Sequence, residues 1–212
     1  MKNSCDGCNA GMPVDAKRID IGDKHVYSVR HSDDNGVAHM SCTANLYGVS
    51  AHRTFADIAR TIASRSKCVS MQVGCVAVNS RGRIVSTGVN GTVSGHVNCC
   101  DVHSGRGAEH SIWSELYEIH AEMNMILEMA RSSTTFDVLD LYVTHCPCSN
   151  CLKHLIGLNA IGVAVVRNIV YDEVYYKTTP EALAENKQYC KLFGVNLLSV
   201  EEIEANERVS QL

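Results

Sequence analysis

Apolar and polar positions along the chain follow two periods. From Phe55, the stretch "FADIARTIASRS" sets Ile58, Ala59 and Ile62 at helical spacing. The apolar runs "QVGCVAVN" and "RIVSTGVN" flank the polar "SRGR", which reads as a hairpin. A helix is expected from about Ile119 to Arg131, with Met123, Ile126, Leu127 and Ala130 on one face. "DLYVTH" reads as a buried strand, "CSNCLKHLIGL" as a helix starting at its cysteines, and "GVAVVRNIVY" as a second buried strand. "PEALAENKQYCKLFG" places Pro180 near a helix start and Gly194 past its end, and "VNLLSV" supplies a last strand. Strands alternating with helices argue an α/β layered domain with a hairpin at the start of its sheet. No internal repeat or low-complexity tract interrupts it.

Two regions stand outside this pattern. Residues 1–50, rich in Gly, Asp, Asn and Ser, read as a small extension, leaving 51–212 as the main domain. Residues 91–117 carry little periodicity and much Gly, His and Ser, so they read as a long loop. A loop that long inside a compact domain is usually functional or held by something.

Composition narrows the class. The chain has 212 residues, 45% hydrophobic and 20% charged, which suits a soluble globular protein. No apolar run approaches the roughly 18 residues of a membrane span, and "MKNSCDGCNAG" lacks the apolar core of a signal peptide. A cytoplasmic location is expected, in a host cytoplasm if the source is viral. The net charge of −4 gives no general attraction to nucleic acid, so no stable nucleic-acid partner is expected. Eleven cysteines in a cytosolic chain suggest metal rather than disulfides. They cluster, and ten histidines accompany them, which favours zinc over harder cations.

The sharpest cluster joins "EIHAEMNMI" to "HCPCSNCL". His120, Cys148 and Cys151 make three protein ligands, and catalytic zinc keeps its fourth position for water. Both segments open helices, whose free N–H groups favour thiolate. H-A-E…P-C-x-x-C is the zinc-deaminase signature. Zinc brings the pKa of its water down to about 7 in the best case, and two thiolates make it a weaker Lewis acid. A nearby base is then needed, and Glu122 is placed to serve. It would take the water proton, deliver it to the ring N3, and later protonate the leaving amine as C4 of cytosine is attacked.

From about Phe55 to Lys177 the chain resembles deoxycytidylate (dCMP) deaminases, particularly those of T-even-like bacteriophages. The pieces that carry the likeness are "SRSKC", "QVGCVAV", "GRIVSTGVNG", "VNCCD", "HSIWSELYEIHAEMN", "LYVTHCPCSNC" and "VYDEVYYK", in the same order and with similar spacing. The resemblance implies a cytidine deaminase-like three-layer α/β/α fold with a five-stranded mixed sheet. It implies dCMP as substrate, dUMP as product for thymidylate synthesis, and a hexamer activated by dCTP and inhibited by dTTP. It puts the zinc ligands on His120, Cys148 and Cys151, and the proton shuttle on Glu122. Substrate contacts fall on Asn90, Tyr175, Lys67 and Arg131, with Tyr171 and Tyr176 as alternatives to Tyr175. Val89 stands where the family has the Tyr of G-Y-N-G, and Cys146 where Ser or Glu precedes P-C.

The phage relatives also hold a structural zinc with ligands from the region of the long loop. Cys99, His110 and Glu118 match residue by residue, and His103 is the expected fourth ligand. In the extension, Cys5, Cys8, His39 and Cys42 form C-x-x-C and H-x-x-C pairs, a zinc-ribbon-like set for a third metal. The expected complement is therefore one catalytic zinc and one or two structural ones. Two other functions remain open. One is a same-fold deaminase acting on dCTP or another cytosine nucleotide, nucleoside or nucleic-acid base. The other is a non-catalytic zinc protein that binds nucleotides.

Overall fold

Apolar side chains of the central strands alternate between two faces, and helices cover both. The computed structural model of the protein describes residues 50–131, 136–175 and 177–210, with the backbone of 15–21, 24–32 and 38–42. The chain divides into two units, Met1–Ser50 and Ala51–Leu212. The first contains β1 (Asp15–Ile21), β2 (Lys24–Ser32) and β3 (Ala38–Cys42), an antiparallel sheet in that order. Of the ligands expected there, Cys5 and Cys8 lie outside the described residues, while His39 and Cys42 fall on β3, whose side chains also lie outside them.

The second unit runs α1 (Ala51–Ala63), β4 (Gly74–Asn79), β5 (Ile84–Val89), β6 (Gly91–Thr92), α2 (Cys99–Val102), α3 (Ala108–Tyr117) and β7 (Glu118–Ile119). It continues with α4 (Ala121–Arg131), β8 (Phe136–His145), α5 (Ser149–Ala160), β9 (Ala164–Glu173), α6 (Pro180–Leu192), β10 (Asn196–Ser199) and α7 (Val200–Ser210). Five strands form one mixed sheet in the order β10-β9-β8-β4-β5. The pairs β8/β9 and β9/β10 are parallel, and the pairs of β4 with β5 and β8 are antiparallel.

The period of two explains the layers. Cys75 and Ala77 of β4, with Leu139, Leu141 and Val143 of β8, join a core with Met125 and Met129 of α4 and Leu152 and Leu155 of α5. Val76, Val78 and Tyr142 face the opposite way, into a core with Ala56 and Ala59 of α1 and Val200 and Ile203 of α7. The fold is thus a three-layer α/β/α sandwich, with α4, α5 and α6 on one face and α1 and α7 on the other. Among the described residues no helix is long and apolar enough to cross a membrane.

Two expectations from the sequence need correction. The buried face of α4 is Ala121, Glu122, Met125 and Met129, whereas Leu127 is 51% exposed and Ala130 is also exposed. The sheet selects this face because Gly88 of β5 lets the helix backbone come close at Ala121 and Met125. The 91–117 stretch is more than a loop. It holds α2 and α3, and β6 pairs with β7 through Gly91 and Ile119.

Topology fixes where chemistry can sit. β8 and β9 end together at His145 and Glu173, and antiparallel β4 starts at the same sheet end. Ligands in open α/β sheets bind beyond the carboxyl ends of parallel strands.

Candidate active site

β8 runs out into Cys146 and Pro147 and delivers Cys148 as the N-cap of α5. The Cys148 sulfur accepts from the Cys151 N–H at 3.5 Å, so the first turn of α5 holds both thiols. His120 sits between β7 and the start of α4. Its Nδ1 is 3.7 Å from the Cys148 sulfur and 3.3 Å from the Cys151 sulfur. The three donor atoms lie within 4.8 Å of one another. One imidazole nitrogen and two sulfurs, with no fourth donor in the group among the described residues, fit zinc with a position left open.

Glu122 is one residue into α4 and 4% exposed. Its side chain hydrogen-bonds with Cys151, which sets the carboxylate against the ligand group. Burial pushes its pKa up, while the backbone at the helix start and the nearby His120 pull it down. A hydrogen bond from Cys151, joined by one from His120, holds the Cys148 thiol down to about 3 despite its burial. Thiolate character there is what a metal ligand needs. Asn124 secures the helix by donating to the Val89 carbonyl at 2.7 Å.

A second group gathers behind the first. Donor atoms of Cys68, Cys99, His110 and Glu118 lie within 4.8 Å of one another. The Cys68 sulfur is 3.5 Å from His110 Nε2. Cys99 accepts from the Val69 N–H at 3.4 Å. Three of these residues are the ones expected from the sequence; Cys68 joins them, and His103, the expected fourth ligand, stands next to the group with its Nε2 buried and without a hydrogen-bond partner. The His103 ring packs on His110 and Trp113, with centroids 5.3 and 5.2 Å away, and its donor atom is not among the four. Burial, with Glu118 and Cys99 nearby, pushes the Cys68 thiol up to about 11. One Glu118 carboxylate oxygen is buried without a hydrogen-bond partner. Two thiols, an imidazole and that oxygen fit a closed four-ligand zinc. We expect Cys68→Ala to lower zinc by one equivalent per chain and His103→Ala to leave the count unchanged, measured by elemental analysis. The opposite pattern would restore His103 as the ligand.

Residues 49–167 match the family model of the cytidine and deoxycytidylate deaminase zinc-binding region. The chain belongs to this deaminase family. It is similar to the deoxycytidylate deaminase of Enterobacteria phage T4, at 34% identity covering 60% of this chain and 80% of the relative. It is similar to ComE operon protein 2 of Bacillus subtilis, at 31% identity covering 77% of each chain. In three dimensions it is similar to the dCMP deaminase of cyanophage S-TIM5 in complex with dCMP and dUMP. That match has 27% identity and a TM-score of 0.56, and covers 76% of this chain and 99% of that one.

The matched region of this deaminase contains both ligand groups and Glu122, while Tyr175 lies beyond it. Tyr175 follows β9 by two residues, at the sheet end that bears the first group. The Asn90 amide accepts from the Val73 N–H at 2.8 Å and donates to the Met71 carbonyl at 2.9 Å. Those bonds orient the side chain and use half of its hydrogen-bonding capacity. Lys67 is exposed, and its carbonyl accepts from Cys100 at 3.1 Å. Arg131 stands at the far end of α4 within one chain. It is nine residues along α4 from Glu122, about 14 Å at helical rise. There it pairs with Glu128 at 3.0 Å. Cys68 was missed because nothing in its local spacing marks it: its partners stand 31, 42 and 50 residues away in the sequence.

Proposed function

We propose that this protein deaminates dCMP to dUMP with release of ammonia. One observation carries the reading: the buried carboxylate of Glu122 lies against a three-donor N/S/S group that leaves a position open. Deoxycytidylate deaminases among its relatives support dCMP as the substrate. His120, Cys148 and Cys151 would hold the zinc. Bound there, zinc acidifies a water and so supplies the nucleophile of a hydrolytic deamination. Glu122 accepts the proton of the attacking water and passes it to N3 of the cytosine ring. It then takes the second proton from the hydroxyl added at C4 and gives it to the amine; the C4–N bond breaks, a carbonyl forms at C4, ammonia leaves and the carboxylate is back in its starting state. Its burial raises its proton affinity and suits it to carry a proton between two sites of similar basicity.

Asn90 and Tyr175 border the substrate in this reading. Cys68, Cys99, His110 and Glu118 hold a second, structural zinc that pins β7, and with it His120, in place. A cytoplasmic hexamer controlled by dCTP and dTTP accompanies the reading. The exposed Ile112 and Leu116 of α3, 72% and 71% accessible, offer apolar surface for such an assembly. Ammonia release from dCMP, dCTP and cytidine by the zinc-loaded protein tests the assignment. Turnover should be highest on dCMP. A zinc-loaded protein that deaminates none of the three would move the function to nucleotide binding without chemistry.

A further inference from the structure

Asp172 stands near the carboxyl end of β9, two residues beyond Val170 and so on the same face of the sheet, toward α1. That face is opposite to α4 and α5, which carry Glu122 and Cys151. The Asp172 side chain is 3% accessible. Arg53 and Arg60 are seven residues apart on α1, two turns along one helix face. Both reach the one carboxylate: Arg53 Nη1 donates to Oδ1 at 3.4 Å, and Arg60 Nη2 pairs with Oδ2. Arg53 also donates to Glu201 at 3.4 Å and to the two carboxylate oxygens of Glu204 at 3.4 and 3.3 Å. The Asp172 carboxylate therefore ties β9 to α1 and, through Arg53, to α7.

A buried ion pair gives little net stability over apolar packing, because desolvation offsets the attraction. What two arginines on one carboxylate do supply is a fixed position, since a charge this buried is tolerated only where its partners stand. That position is passed on one residue later. The Glu173 carbonyl accepts from the Cys146 N–H at 2.8 Å, directly after the His145–Glu173 pairing of β8 with β9. Pro147 follows, with one backbone angle locked by its ring, and then Cys148 at the N-cap of α5. The first sulfur donor is thus two residues from a backbone bond anchored on β9. Asp140 of β8 offers a comparison. It is 10% accessible and accepts from Arg167 at 3.0 Å and from Asn168 at 2.9 Å. It lies five residues before His145, about 17 Å along the strand from the ligand turn.

We propose that Asp172 is a positioning residue for the deamination site, holding Cys148 in place from the opposite face of the sheet through Arg53, Arg60 and the Glu173 carbonyl. The inference rests on the deaminase reading and adds to it a residue that acts on the donor group only through the backbone. No local spacing marks Asp172 for this role, because Arg53 stands 119 residues away in the sequence.

The test compares wild type, Asp172→Asn, Arg60→Gln and the control Asp140→Asn. Tm, zinc content and dCMP turnover are measured on each, with hydrogen exchange of the segment 145–151 followed by mass spectrometry at equal distance below each Tm. The two aspartate variants each break a buried ion pair, so both should lower Tm, by roughly 5–15 °C. Only Asp172→Asn should also lower kcat, by roughly ten- to a hundredfold, with KM for dCMP changed less. Amide exchange in 145–151 should be about tenfold faster in Asp172→Asn than in Asp140→Asn. Arg60 is 49% accessible, and its loss leaves Arg53 on the carboxylate. Arg60→Gln should therefore shift kcat and exchange in the same direction by less, and it decides the matter if Asp172→Asn does not fold. Equal exchange in 145–151, or equal kcat, in the Asp172 and Asp140 variants would overturn the proposal and leave Asp172 as a contact between α1 and the sheet. A wild type inert on dCMP would instead overturn the deaminase reading. The exchange comparison needs no turnover and would still decide the positioning role.

Discussion

Glu122→Gln should lower kcat for deamination by about 10²- to 10⁴-fold while the protein keeps its zinc and its fold. The replacement is nearly isosteric, so the buried position one residue into α4 stays filled. It removes the group that moves protons among water, ring nitrogen and leaving amine. An amide still hydrogen-bonds to Cys151, so the ligand group should remain assembled. The measurement is steady-state ammonia release, with zinc content and Tm taken on the same preparation. Activity within tenfold of wild type would remove Glu122 from the proton path. Lost activity accompanied by lost zinc would make it a support of the ligand group instead.

The largest structural effect is expected from Gly88→Ala. A Cβ built there would lie 2.0 Å from the Ala121 carbonyl oxygen and 2.5 Å from the Met125 nitrogen, both backbone atoms of α4. Neither can swing aside as a side chain would, so the helix must move off the sheet. Overpacking of this kind costs about 3 kcal/mol or more, equivalent to a Tm loss of roughly 6–12 °C in a domain of this size. Because α4 begins with Ala121 and Glu122, the same shift displaces the catalytic carboxylate, and a misplacement of about 1 Å can cost ~10²-fold in rate. Thermal unfolding and turnover should therefore fall together. Gly157→Ala is the control: it lies within α5, and a Cβ there meets nothing within 4 Å. Its Tm should hold or rise. If Gly88→Ala behaves like that control, the close packing of β5 on α4 does not set the site.

The second ligand group shows how the two ligand sets differ in legibility. His120 with Glu122, and Cys148 with Cys151, are neighbours in sequence, so helix geometry alone puts each pair at the start of a turn. Their residue types and spacing state the chemistry before any folding is considered. Cys68 has no such neighbour. It reaches His110 because the turn after α1 folds back over α2 and α3, and His103, closer in sequence to the other ligands, is turned onto Trp113.

The sequence by itself determined the alternation of strands and helices, the three-donor group and its carboxylate, and the family. Each of these rests on residues a few positions apart, where backbone period decides which side chains meet. The tertiary structure alone decided the buried face of α4, which the apolar pattern misread. The pattern counts hydrophobic residues, whereas the contact is set by a glycine on the opposing strand that lets the backbone approach. It also brought Cys68 into the second donor group, Arg106 to the Ser70 carbonyl and Arg131 to the far end of α4 from Glu122. It placed α7, whose Val200 and Ile203 complete the second core and which the apolar pattern did not predict. These are long-range contacts, fixed by how the sheet orders its strands and which turns cross its carboxyl end, and no local spacing encodes them.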